Sequence, residues 1–187
     1  MKTTKGNKVS LFFVAGLLLI SLVGNSQDYK LNRQERKEAR KAQLAANYAI
    51  LDSLLNAKSF VLEADFLRDK YGNRISVFST INFIRVDKSA GVLQTGSNTG
   101  LGYNNVGGIT AEGRISNWNI KKNPKELSFT LRFSLITQIG HYDVLMVVTS
   151  DNHATATITG LWPGNLTWEG HLETIYNSRV FKGQNTV

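Results

Sequence analysis

Leu127-Ser128-Phe129-Thr130-Leu131-Arg132-Phe133-Ser134-Leu135 decides the fold class. Successive side chains of an extended chain point to opposite faces, so Leu127, Phe129, Leu131, Phe133 and Leu135 share one side and Ser128, Thr130, Arg132 and Ser134 the other. A half-buried strand reads this way. The same period continues toward the C-terminus, from Tyr142 to Thr149, from Ala154 to Gly160 with Thr155, Thr157 and Thr159 outward, and from Leu166 to Thr174 with Leu166, Trp168 and Leu172 inward. Toward the N-terminus, Phe60, Leu62, Ala64 and Phe66 alternate with Val61, Glu63 and Asp65. Ile75 to Val86 reads as one strand with a phase change at Phe83-Ile84, which marks a bulge or burial on both faces. Ile109 to Ile120 changes phase at Asn117-Trp118, and a short strand falls near Val92-Leu93.

The later connections are short and carry turn residues: Lys122-Asn123-Pro124-Lys125, Ile139-Gly140-His141, Asp151-Asn152-His153 and Trp162-Pro163-Gly164-Asn165. Connections this short join antiparallel neighbours, whereas parallel strands need crossovers of a dozen residues or more. The expected fold is mainly β, an antiparallel meander of about eight strands preceded by one N-terminal helix. Its apolar face must be covered by closure into a barrel, by folding into a sandwich, or by the helix. A curled sheet or barrel with the helix beside it or plugging one end is favoured.

That helix is expected over Asn32 to Ala57, which has no Gly or Pro and is rich in strong helix formers. Leu44, Tyr48, Leu51 and Leu55 recur at helical spacing, so the second half should dock on the β domain. The first half is a basic stem, Arg33, Arg36, Lys37, Arg40 and Lys41, diluted by Glu35 and Glu38. Its lack of aromatic residues argues against stacking on nucleobases, and no nucleic-acid partner is expected.

Ahead of it, Lys2, Lys5 and Lys8 precede an uncharged run from Val9 to Val23, and Gly24-Asn25-Ser26 supplies small residues before Gln27. This is read as a secretory signal peptide cleaved after Ser26. The run is too short for a spanning helix, which needs about 20 residues. Membrane contact is thus expected only before cleavage, and the product should be soluble in the periplasm or secreted. The chain has no cysteine, which excludes a lipoprotein anchor, disulfides and thiolate metal sites.

The expected organisation is a signal peptide at 1–26, a charged helix at 27–58, an antiparallel β domain at 59–176 and a C-terminal tail at 177–187. The formal charge of +8 over 187 residues divides along it. The leader holds +3 and residues 27–58 another +3, leaving the β region and tail with +2. At 42% hydrophobic and 19% charged, the composition is that of a folded chain.

Several stretches carry a family likeness: Ser59-Phe60-Val61-Leu62-Glu63-Ala64-Asp65, a strand closing at Val86-Asp87, Gly107-Gly108-Ile109-Thr110-Ala111-Glu112-Gly113-Arg114-Ile115, and Leu166-Thr167-Trp168-Glu169-Gly170 after an Ala-Thr-rich strand. The chain resembles the domain of unknown function 4251 family, exported proteins of Bacteroidetes, over about Ser59 to Glu173. It departs from the family pattern at Leu93-Gln94-Thr95-Gly96. The resemblance implies a β-rich domain in a Gram-negative cell envelope and carries no assigned activity or cofactor.

Catalytic signatures are missing: there is no Cys nucleophile, no Gly-x-Ser-x-Gly elbow and no His-Glu-x-x-His. Glu169, His171 and Glu173 share one strand face and are the best chemical constellation. They suit a hydrolase or metal site only if a neighbouring strand completes it, and otherwise form a solvent face. No cofactor or metal is implied. The Gly-rich run 95–108 lacks a phosphate-loop ending and is read as a long loop, with Tyr103 at its centre. The reading is a non-catalytic binding or interaction module for an unknown envelope protein. The alternative is a barrel-like carrier of a small apolar or amphiphilic ligand. Tyr103, Trp118, Phe129, Phe133 and Trp168 are the candidate contacts.

Overall fold

The computed structural model describes residues 32–97, 107–161 and 164–186. The expected signal peptide, Tyr103 and most of the Gly-rich run lie outside the described residues. The chain divides into two units, Met1–Glu38 and Ala39–Val187.

Helix α1 spans Arg33–Ala57. Asn32 starts it with a reciprocal cap. Its Oδ1 accepts from the Gln34 and Glu35 amides at 3.0 and 2.9 Å, and Glu35 Oε2 accepts from the Asn32 amide at 2.8 Å. In the first unit Arg33, Arg36 and Lys37 are exposed, as are Arg40 and Lys41 at the start of the second. No helix among the described residues is long and apolar enough to cross a membrane.

In the second unit nine strands follow: β1 (Ser59–Arg68), β2 (Arg74–Ser76), β3 (Phe83–Asp87), β4 (Ala90–Thr95), β5 (Ile109–Asn123), β6 (Ser128–Thr137), β7 (His141–Thr149), β8 (His153–Leu161) and β9 (Gly164–Glu173). Each from β3 to β9 pairs antiparallel with the next. β9 then returns to β1, and β1 pairs with β3. Eight strands thus close a ring, while β2 pairs only with the far end of β1 and lies outside it. The meander is a closed barrel, which removes the open edges a flat sheet would expose.

Three local readings are corrected. Ile75 to Val86 is two strands, because Asn82 turns the chain between them. Its Nδ2 donates to the carbonyls of Phe78 and Gly96 at 3.0 and 3.1 Å, and its Oδ1 accepts from the Gly96 amide at 2.9 Å. Leu127 belongs to a turn, with φ 49°, so the inward series of β6 starts at Phe129. In β1 the register slips between Ala64 and Phe66, so Leu67 takes the buried place and Phe66 turns out beneath Arg74, whose guanidinium stacks on its ring at 3.4 Å.

Phe60, Leu62, Ile84, Leu93, Phe129, Leu131, Leu135, Met146, Ile158 and Trp168 are fully buried and fill the ring. An eight-stranded barrel is just wide enough for its own side chains to do this. Leu51 and Leu55 of α1 join the same cluster, and Tyr48 stacks on Phe129 with ring centroids 4.4 Å apart. The helix therefore covers the barrel end at which β1 begins.

The C-terminal tail packs against the outside. Ile175 and Val180 cover Val61, Phe83 and Val92, which explains the burial of both faces of β1, β3 and β4. Beneath it Gln94, fully buried, is saturated: Nε2 donates to the Ile81 and Phe181 carbonyls at 3.1 and 2.8 Å, and Oε1 accepts from Thr110 Oγ1 and the Gly183 amide at 2.9 and 2.8 Å. Lys182 and Asn185 both bind Glu112, and these bonds, Lys182 first, hold its carboxyl below the usual glutamate range. A lowered folded-state value adds stability above the ordinary glutamate pKa, which is lost as pH falls through the lowered one. Glu112→Gln is thus expected to remove part of the acid sensitivity of the tail's amide protection in hydrogen exchange. The effect should stay below about 1 kcal/mol because both side chains are over a third exposed.

Candidate functional site

The site is built around a bulge in β5. Pairing with β6 runs Ser116↔Ser134 and then Asn119↔Arg132, so Asn117 and Trp118 together face Phe133. Asn117 takes φ 54°, which asparagine tolerates better than most residues. The extra residue turns the Trp118 ring inward against Phe133, at 5.3 Å, and Phe60, at 6.4 Å. It leaves the Asn117 amide outside. That amide donates to Ser134 Oγ at 3.3 Å, and Ser134 Oγ donates to Asp143 Oδ1 at 2.7 Å.

These groups border an open groove of 480 Å³ across the outer wall of β5 to β8, with Arg132, Leu145, Thr157 and Thr159 on its other sides. His141 Nε2 stands 3.7 Å from the same Asp143 oxygen. The order is serine, carboxylate, imidazole. Nucleophilic hydrolysis needs the imidazole between the other two, where it can take the hydroxyl proton. The groove offers amide, hydroxyl and guanidinium groups over a partly apolar floor, which suits recognition by hydrogen bonding and contact.

The sequence-predicted contacts are distributed differently. Phe129, Phe133 and Trp168 lie in the barrel core, Phe133 also reaching the groove floor, and Trp118 lies at the bulge. Trp168 Nε1 is buried with no hydrogen-bond partner among the described residues. Its isolation among apolar side chains fits a space-filling ring.

The face carrying Glu169, His171 and Glu173 is the outer wall. Glu169 is held by two arginines, Arg68 Nη2 at 2.9 Å and Arg74 Nε at 2.7 Å, so its carboxylate is already engaged. His171 lies 3.5 Å from Asp65 and 3.9 Å from Glu63, whose other oxygen accepts from Ser178 Oγ at 2.6 Å. No group of three His, Asp or Glu among the described residues is arranged to hold a metal ion. Period two placed the trio on one face, but the arginines come from β1 and β2 and only register brings them in. Glu169→Gln is expected to lower stability by about 1–2 kcal/mol, since the arginines lose a part-buried anion but are themselves nearly half exposed. Urea unfolding should show a lower midpoint at unchanged slope.

A closed, side-chain-filled antiparallel barrel capped by a helix defines the class: a small β-barrel with polar side chains along its outer wall. The chain belongs to the family described as Domain of unknown function (DUF4251), whose model matches residues 42–172. A crystal structure of a DUF4251 family protein from Bacteroides eggerthii is similar to it, with 28% identity and a TM-score of 0.62, over 74% of this chain and 96% of that one. No curated protein matches it.

Proposed function

We propose that the protein is a non-catalytic interaction module of the bacterial cell envelope, exported by its lysine-led apolar N-terminus, and that it binds a protein partner with its outer wall. The filled barrel carries this reading: Trp168, Phe60 and Phe129 are fully buried, so the recognition groups left for a partner are those outside, around the β5 bulge. The exposed basic stem at Arg33 to Lys41 supports it by adding a charged arm for a partner of opposite sign. The similar protein comes from Bacteroides, which suits a bacterial source.

Cross-linking in the natural host, followed by native mass spectrometry of the protein recovered from its periplasm, tests the reading. A defined protein partner whose yield falls in Arg132→Ala and at raised salt supports it. Recovery from the cytoplasm overturns the export step. A stoichiometric small apolar molecule bound in place of a protein overturns the outer-wall reading in favour of a carrier.

A further inference from the structure

Asn117 also borders a second cleft, of 500 Å³, at the end of the barrel that α1 covers. Three segments meet there: Asn56 to Lys58 at the end of the helix, the β3–β4 turn at Lys88-Ser89, and Ile115 to Trp118 around the bulge. Two backbone hydrogen bonds clip them together, from the Lys88 amide to the Lys58 carbonyl at 2.6 Å and from the Ile115 amide to the Ser89 carbonyl at 2.8 Å. The two lysines are thereby fixed side by side, far apart in sequence and adjacent at the backbone.

Backbone strain gathers at the same place. Five described non-glycine residues have left-handed φ, and three of them, Lys58 at 51°, Lys88 at 56° and Asn117 at 54°, line this cleft. Two of them have a local cause: Lys58 directly follows the last residue of α1, where a left-handed residue ends a helix, and Lys88 opens the two-residue turn between β3 and β4. Among the described residues no acidic side chain lines the cleft. Ser116 Oγ is sealed behind the cleft wall with no hydrogen-bond partner among the described residues. Lys58 Nζ lies 5.1 Å from the centre of the Trp118 ring, held by that face with no carboxylate ion pair among the described residues. The end of α1 contributes about half a negative charge, less than either ammonium, so the field remains positive.

We propose that this cleft binds a phosphate group, as free phosphate or as a small phosphate monoester. A phosphate carries between about one and two negative charges at neutral pH, which two ammonium groups match, and one of its acceptor oxygens can take the hydroxyl of Ser89, exposed in the β3–β4 turn. Lysine is a compact point charge without the planar fork by which arginine selects a carboxylate. The volume leaves room for an organic group beyond the phosphate. The proposal stands apart from the envelope reading, since it concerns a different face and a different class of ligand.

Calorimetric titration of the full chain with inorganic phosphate and with glucose 6-phosphate, against sulfate and acetate at equal ionic strength, tests it. Saturable one-to-one binding is expected for at least one phosphate species. Binding of both marks the phosphate alone as the determinant, and binding of the ester alone assigns the remaining volume to its organic part. Lys88→Gln should weaken binding about tenfold, as should Lys58→Gln, while Lys125→Gln in the β5–β6 turn leaves it unchanged. Lys58 also packs on Trp118, so Lys88→Gln carries the test if Lys58→Gln fails to fold. Absence of saturable phosphate binding, equal binding of acetate, or full binding by Lys88→Gln overturns the proposal.

Discussion

Gly170→Ala is expected to destabilise the protein by at least about 4 kcal/mol, among the largest effects a single methyl group can have. Gly170 lies in β9 opposite Ala64 of β1, at the seam where the last strand meets the first and the barrel closes. A Cβ there would stand 1.9 Å from the Glu63 carbonyl oxygen and 2.9 Å from Ala64 Cα. Both obstacles are backbone, so no side chain can rotate away, and β1 and β9 would have to separate. The register slip between Ala64 and Phe66 sits beside this point, leaving few neighbouring pairs to absorb a shift. Gly91→Ala provides the contrast. Its Cβ would meet only side-chain atoms, Leu135 Cδ1 at 2.8 Å and Ile115 Cγ1 at 3.0 Å, and about 1 kcal/mol is expected. Urea unfolding of the two variants against the parent measures the difference. A Gly170→Ala unfolding free energy within about 1 kcal/mol of the parent would mean that the seam is not close-packed.

The seam also marks where sequence reading stopped. Alternation is a local property of each strand, so Phe129 to Leu135, Tyr142 to Val148 and Ala154 to Ile158 declare their inward faces, and short turns declare antiparallel neighbours. Closure depends on Glu63 meeting His171, a pairing between the ends of the domain that no local pattern encodes. Ile75 to Val86 failed for a related reason. Its composition favours strand throughout, and what divides it is the set of hydrogen bonds from Asn82 to Phe78 and to Gly96 across a neighbouring strand. The phase change at Phe83-Ile84 was legible as either a bulge or burial on both faces, and the structure shows the second. Its cause, the returning tail at Ile175 and Val180, was not legible.

The candidate sites divide along the same line. The bulge at Asn117-Trp118 announced itself as a broken period, and it borders both clefts. The groups it assembles did not: Ser134 meets Asp143 through the β6–β7 register, and Lys58 meets Lys88 through one backbone hydrogen bond. In the sequence Lys58 is the last charge of the stem and Lys88 an ordinary turn residue. Aromatic residues misled in the opposite sense, because Phe129, Phe133 and Trp168 have the character of ligand contacts and serve mainly as filling.

Leu55→Ala is expected to cost about 2–5 kcal/mol, the second large effect. Leu55 is wholly buried although it belongs to a helix with otherwise exposed faces, and with Leu51 and Tyr48 it seats α1 on the barrel end. The side chains around it come from both helix and strands, so they cannot all move in to refill the space, and the cavity should persist. Ile50, at 65% exposure on the same helix, is the control, and Ile50→Ala should change stability by no more than about 0.5 kcal/mol. An apolar cavity of leucine size stays dry and admits small hydrophobic molecules, so Leu55→Ala should recover part of its stability in benzene-saturated buffer while the parent does not. Equal recovery by the parent would show that its barrel already contains ligand space, against an interior filled by its own side chains. A Leu55→Ala variant as stable as Ile50→Ala would instead mean that the strands close the barrel end without the helix, leaving α1 free to serve the stem alone.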